Sequence, residues 1–191
     1  MATRRVAGFS PTSTICISPR SLRCVNSFLL CAAITILEPN FYESFLAAYD
    51  KDQKVQRGVF YTPHAVVSYI VRSVDELLRK EFRLEDGLAD TTSWETIASR
   101  FDDLAIPAEV SADQPFVQIL DPATGTGTFL VEVISVIHKT MINKWKDEGH
   151  SSNIIAQLWN EYVPKHLLPR LHGYELLMAP YAIAHLKIAL K

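Results

Sequence analysis

Several stretches of the chain place apolar residues on one helical face. Between Thr62 and Phe82 they recur every three or four positions over about five turns. Thr62 is suited to cap this helix and Pro63 to occupy its first position, where the missing N–H of proline has no partner to lose. The same periodicity predicts helices from Phe129 to Trp145 and from Asn153 to Tyr162, a final helix near Pro180, and a short amphipathic helix in FYESFLAAYD, residues 41–50.

Two short apolar runs indicate buried strands. FVQIL occupies residues 116–120 and LHGYELL residues 171–177, and the predicted helices lie between them. This order predicts an α/β fold in which two parallel strands, near 116–120 and 171–175, are joined by a crossover. Residues 86–115 are polar and interrupted by Gly87, Pro107 and Pro115, so we expect a surface excursion with a short helix from Ser93 to Leu104.

Composition separates a leader, residues 1–37, from the rest of the chain. The leader holds all three cysteines and four arginines but no acid, and it ends in the uncharged run SFLLCAAITIL. At 11 residues this run is too short for a membrane span, which needs about 20. The leader is compatible with a signal or transit peptide, or with an extension that packs poorly on the fold. The cysteines show neither metal spacing nor a disulfide framework, and no trustworthy metal spacing is seen among the histidines.

The most informative motif is DPATGTGTF, residues 121–129, between a predicted strand and a predicted helix. Gly125 and Gly127 permit a tight turn that a ligand can approach closely. A phosphate-binding P-loop is excluded because no Gly-Lys-Ser/Thr follows. A dinucleotide fingerprint is disfavoured because Leu130 stands where a third glycine is needed, and because the candidate ribose acid, Glu175, lies 54 positions after Asp121.

These residues resemble the S-adenosylmethionine-binding motif of amino-methylating DNA methyltransferases. RGVFYTP at 57–63 is similar to the motif that precedes it in adenine-N6 enzymes, and HGYELLMAPYAIAHLKI at 172–188 to the segment with the ribose-binding acid. The three motifs keep the family's order over residues 38–191. With FYESFLAAYD and DGLAD at 86–90, they look most like the methylase part of a large single-chain restriction-modification enzyme.

The resemblance implies a partial Rossmann-like, S-adenosylmethionine-dependent methyltransferase fold, preceded by helices. Residues 38–115 would be a helical segment that carries a cofactor motif, and 116–191 the start of the α/β domain. Asp121 would hold the methionine ammonium, Glu175 the ribose hydroxyls and Thr62 the cofactor carboxylate, while Tyr61 would pack on the cofactor. The implied cofactor-binding residues are Tyr61, Thr62, Asp121, Pro122, Ala123, Gly125, Gly127, Phe129 and Glu175.

The family's catalytic motif, Asn/Asp-Pro-Pro-Tyr/Phe, is missing, since no Pro-Pro occurs in the 191 residues. We therefore expect a truncated cofactor-binding portion of a cytoplasmic DNA adenine-N6 methyltransferase, without catalytic residues of its own. Residues 38–191 carry 15 Lys and Arg against 21 Asp and Glu, a formal charge of −6, so DNA would be contacted mostly through parts that the chain lacks. Two alternatives remain, a non-enzymatic cofactor-binding relic and a nicotinamide-dependent oxidoreductase fragment, and no membrane association is expected.

Overall fold

The computed structural model describes residues 62–191 together with the two-residue strand Ser13–Thr14. The predictions for Tyr61, for the helix at 41–50 and for the remainder of the leader lie outside these residues. In chain order the elements are strand β1 (Ser13–Thr14), helix α1 (His64–Glu81), the 3₁₀ turn Gly87–Ala89, helix α2 (Trp94–Ala98), strand β2 (Ile119–Asp121), helix α3 (Thr128–Asp147), helix α4 (Ser152–Tyr162), a π-helical turn Val163–Leu167, a 3₁₀ turn Leu168–Arg170, strand β3 (Leu171–Glu175) and helix α5 (Met178–Ala189).

The sheet is small and mixed. Strand β3 lies in the middle, parallel to β2 and antiparallel to β1. Leu120 is opposite His172 and Asp121 is opposite Gly173, so β2 and β3 end side by side. Helices α3 and α4 form the connection between them. The α/β fold, the parallel pair and the helices at 128–147 and 152–162 are thus confirmed.

The main core lies between α1, α3 and α4. Val67 and Val71 of α1 are buried against Leu130, Ile134 and Ile137 of α3, and Ile155 and Tyr162 of α4 complete the cluster. A smaller cluster of Leu84, Ile97 and Val117 lies beside it. The α1 face that the sequence predicts as apolar is only partly used, because Val66, Ile70, Val74 and Leu77 remain 42–51% exposed.

Three local predictions were wrong. Thr62 does not cap α1: the helix begins at His64, and Pro63 occupies the cap position with ψ 138° and no side-chain hydrogen bond to the helix. The strand predicted at 116–120 is Ile119–Asp121, because the Phe116 N–H instead bonds the Thr92 carbonyl and its ring packs against Phe82 and Trp94. Helix α2 ends at Ala98, well before Leu104.

Residues 86–115 are not a surface excursion throughout. Gly87, Leu88, Ala89 and Asp90 are buried, and so is Ile97. The segment looks polar in sequence, but two of its acids, Asp86 and Asp90, have partners within the fold. The Asp86 carboxylate meets the Lys144 ammonium, and Asp90 accepts the Thr92 N–H at 2.8 Å. Polar side chains with partners of this kind can be buried at little cost.

Candidate functional site

The glycine turn meets the end of β3 directly. The Gly125 N–H donates to Glu175 Oε2 at 2.8 Å, and the Thr124 N–H donates to the Tyr174 carbonyl at 2.9 Å. Both bonds are possible because β2 and β3 are parallel and their carboxyl ends are adjacent. The structure therefore brings together Gly125 and Glu175, which lie 50 positions apart in sequence.

The two glycines of the turn have different surroundings. Both have positive φ, 54° at Gly125 and 80° at Gly127, a backbone conformation that other residues rarely adopt. A Cβ at Gly125 would meet nothing closer than 4.0 Å, whereas one at Gly127 would lie 3.0 Å from the Cβ of Ala184 on α5. Among the residues that the structure describes, Gly125 thus faces open space that a ligand can enter, and Gly127 allows α5 to pack closely on the turn.

Two buried threonines stabilise this turn, and the motif resemblance does not single them out. The Thr124 hydroxyl donates to the Asp121 carbonyl at 3.1 Å. The Thr126 hydroxyl lies 3.4 Å from the Lys187 ammonium of α5. The alternation T-G-T-G-T is the only sequence signal for them, and it does not tell a structural hydroxyl from a binding one.

Asp121 ends β2 with an incompletely satisfied carboxylate. Its Oδ1 accepts the Ala123 N–H at 3.2 Å, but Oδ2 is buried and has no hydrogen-bond partner among the residues that the structure describes. Burial raises the pKa of Asp121 above its ordinary value, and the nearby Glu175 charge raises it further, while the Ala123 bond opposes both effects. An unsatisfied acid beside a second acid favours a cationic group at this point.

Glu175 is already engaged through both carboxylate oxygens. Oε2 accepts the Gly125 N–H at 2.8 Å and Oε1 accepts the Leu177 N–H at 2.7 Å. An ionised carboxylate offers about four acceptor positions, so one remains on each oxygen. Glu175 can therefore accept two hydroxyl donors, such as those of a vicinal diol, without releasing the backbone.

The amino-terminal end of α1 approaches α3 just beyond the glycine turn. His64 Nε2 lies 3.2 Å from Glu132 Oε2, and the Glu132 side chain is 15% exposed. Thr62, half-buried, lies two residues before His64. Neither His64 nor Glu132 belongs to the motifs that the sequence singles out.

The other motif residues line the approach to the site. Pro122 and Ala123 are exposed at the end of β2, and Phe129 is half-buried in the first turn of α3. A cavity of about 570 Å³ between α1, β2 and α3 is lined mainly by apolar side chains, and Asp121, Pro122 and Phe129 are part of its lining. Gly125 and Glu175 do not line it.

Neither a metal site nor a membrane-spanning helix is found in residues 62–191. They contain no group of three or more His, Cys, Asp or Glu side chains arranged to hold a metal ion. None of the helices described is long and apolar enough to cross a membrane.

No family model, curated protein or solved structure matches this chain.

Proposed function

We propose that the chain is the S-adenosylmethionine-binding portion of a DNA adenine-N6 methyltransferase of a restriction-modification system. The observation that carries the proposal is the meeting of the Gly125 N–H with the Glu175 carboxylate at 2.8 Å, beside the unsatisfied Asp121. The order of the three motifs and their resemblance to that family support it. The Rossmann-like arrangement of strands is part of the proposal.

Each part of the cofactor has a chemical counterpart at the site. The methionine ammonium would pair with Asp121, whose Oδ2 has no other partner in the described part of the chain. The ribose hydroxyls would bond the free acceptor positions of Glu175. Gly125 would allow the chain of the cofactor to pass close to the backbone, because no side chain occupies the space there.

The electrostatics favour a cationic ligand over a dinucleotide. In a dinucleotide site the amides of the glycine turn face a pyrophosphate, but here the Glu175 carboxylate accepts the Gly125 N–H. Asp121 adds a second acid at the same place, so a phosphate would meet two negative charges. S-adenosylmethionine carries positive charge on its sulfonium and its ammonium, which this pair of acids attracts.

Methyl transfer needs groups that these residues do not supply. The flipped adenine is held in this family by the Asn/Asp-Pro-Pro-Tyr/Phe motif, which does not occur in the 191 residues. The proposed role is therefore cofactor binding, with DNA contacted mainly through other parts of the enzyme and with a cytoplasmic location. A cofactor-binding relic would have the same site, and the two ideas differ only in whether catalysis occurs when a segment with the Asn/Asp-Pro-Pro-Tyr/Phe motif is supplied.

Calorimetry on the full chain tests the proposal. S-adenosylmethionine should bind weakly and more tightly than nicotinamide dinucleotide, and Gly125→Val should abolish most of the binding because its side chain fills the ligand space. Gly149→Val is the matched control: Gly149 also has positive φ, 85°, and has nothing within 4 Å of an added Cβ. Tighter binding of the dinucleotide, or equal loss of binding in both variants, would contradict the proposal.

A further inference from the structure

The Glu175 carboxylate joins two segments of backbone, the glycine turn and the entry to α5. It accepts one N–H from the glycine turn, at Gly125, and one from the entry to α5, at Leu177, at 2.8 and 2.7 Å. These segments follow the ends of neighbouring strands, and the acid that bridges them is itself the last residue of β3. All three groups are half-buried.

The bridge acts on the part of the turn that has least support from packing. Gly125 has φ 54°, and no side chain of the described residues lies within 4 Å of the position that a Cβ would take there. The Thr124 N–H is anchored on the Tyr174 carbonyl and the Gly127 N–H on the Thr124 carbonyl, but the amide of Gly125 depends on Glu175. A hydrogen bond to a charged acceptor is stronger than one between neutral groups.

We propose that Glu175 is a positioning residue, which holds the glycine turn in its binding-ready conformation before any ligand arrives. Its relevance to the cofactor rests on the function proposed above. The free acceptor position on each oxygen lets the same acid bind a diol while it keeps both backbone bonds. The turn is then already ordered when the ligand binds, so the entropic cost of ordering it does not weaken binding.

Amide hydrogen exchange measured by NMR on the unliganded chain tests this role. In Glu175→Ala the amides of Gly125 and Leu177 should exchange at least about tenfold faster than in the wild type, because each loses a charge-assisted acceptor. Glu175→Gln should be intermediate, since its one carbonyl oxygen can accept only one of the two bonds strongly. The Thr124 amide reports whether the strand ends stay together, and Ile137 reports the α3 core.

Glu161→Gln is the matched control, because Glu161 is an exposed acid on α4, away from the turn. It should leave the Gly125 and Leu177 rates unchanged. If Glu175→Ala does not fold, the comparison of Glu175→Gln with Glu161→Gln decides. Exchange at Gly125 and Leu177 within about twofold of wild type in both Glu175 variants would overturn the proposal.

A second measurement separates this inference from the cofactor proposal. Failure of the wild-type chain to bind S-adenosylmethionine would contradict the proposed function but would leave the exchange result standing. Conversely, S-adenosylmethionine binding by the wild-type chain, together with unchanged exchange at Gly125 and Leu177 in the Glu175 variants, would support the cofactor site and overturn the positioning role.

Discussion

Two turns of this protein have similar backbone geometry, but one serves only the fold and the other has the features of a binding site. The turn at Gly87 and the turn at Gly125 each place a glycine at positive φ, 56° and 54°. In each, a carboxylate from a distant position accepts a backbone N–H at 2.8 Å: Asp75 from Leu88, and Glu175 from Gly125. The backbone chemistry is therefore nearly identical.

Their surroundings differ. A Cβ at Gly87 would lie 2.2 Å from Asp75 Oδ1, while a Cβ at Gly125 would lie 4.0 Å from its nearest neighbour. The carboxylates at the Gly87 turn meet cations, Asp75 with Arg79 and Asp86 with Lys144. At the Gly125 turn, Asp121 Oδ2 has no hydrogen-bond partner within residues 62–191.

The comparison shows how a structural joint differs from a binding site. Glycine and a carboxylate acceptor are common to both, so neither feature identifies a site. Empty volume beside the glycine and an acid that the fold leaves unsatisfied are found at Gly125 and not at Gly87. A ligand would fill this volume and pair with this acid.

The largest effect is expected from Gly87→Ala. It should lower the free energy of unfolding by about 3 kcal/mol, because the methyl group displaces Asp75 from the Leu88 N–H in addition to the cost of positive φ. Gly125→Ala has the same backbone conformation without the clash and should cost only about 1 to 2 kcal/mol. Urea unfolding of both variants measures the difference, and equal losses would show that packing does not distinguish the two turns.

Tyr162→Phe weakens the Gly87 turn from its other side. The Tyr162 hydroxyl donates to the Ala89 carbonyl at 2.7 Å and accepts from the buried Arg170 at 2.6 Å. Its loss leaves both partners short of a bond, so we expect about 1 to 3 kcal/mol of destabilisation by urea unfolding. Tyr69→Phe removes a hydroxyl from a side chain that is 69% exposed and serves as the control. A similar change in both variants would contradict the buried role of Tyr162.

Asp121→Asn should change stability and binding in opposite directions. Because the pKa of Asp121 is raised in the folded state, the folded protein binds its proton more tightly than the unfolded chain does. The free energy of unfolding of the wild type therefore decreases as the pH rises from the ordinary pKa of an aspartic acid through the raised pKa of Asp121. Asparagine does not ionise, so this decrease in stability does not occur in the variant. At pH 7 the unliganded variant should therefore be more stable than the wild type by at most about 1 kcal/mol, because solvent screens a partly exposed acid.

Urea unfolding at pH 4, 5 and 7 measures the effect, and calorimetry should show weaker S-adenosylmethionine binding by the same variant. Glu161→Gln, which changes an exposed acid, should not reproduce this pattern. Lower stability of Asp121→Asn at pH 7 would contradict the unsatisfied carboxylate.

The last expected result is that no methyl group is transferred to DNA. The chain incubated with tritium-labelled S-adenosylmethionine and mixed-sequence duplex DNA should leave the DNA unlabelled, because positioning of the amine contributes much of the rate and the motif that positions it is absent. Gly125→Val sets the background. Label above that background would show that these residues transfer a methyl group without Asn/Asp-Pro-Pro-Tyr/Phe.

Much of the architecture follows from periodicity. Helices α3 and α4 have long apolar faces, and the glycine turn identifies the strand before it, so the parallel pair and its crossover were predictable. The meeting of Gly125 with Glu175 is consistent with these strands, because the carboxyl ends of parallel strands are adjacent. The predictions of helices and strands depend on repeating patterns that tertiary contacts reinforce.

The missed features depend on single tertiary contacts. Thr62 has the chemistry of an N-cap, but Pro63 takes that position in an extended conformation. DGLAD looks like a surface turn, and its burial depends on Asp75, Lys144 and Arg170, which come from other elements. The open volume at Gly125 and its lack at Gly87 cannot be read from two glycines in sequence, because both depend on which side chains arrive from elsewhere.

The bond from Gly125 to Glu175 also has a consequence for the order of folding. Its partners are 50 positions apart, and α3, α4 and the turns that follow them lie between. Contacts of such long range form slowly, because the intervening loop must close before the contact gains anything. We therefore expect pulse-labelling during refolding to protect amides of α3 first and Gly125 late, so that the site is completed only when β3 has joined β2.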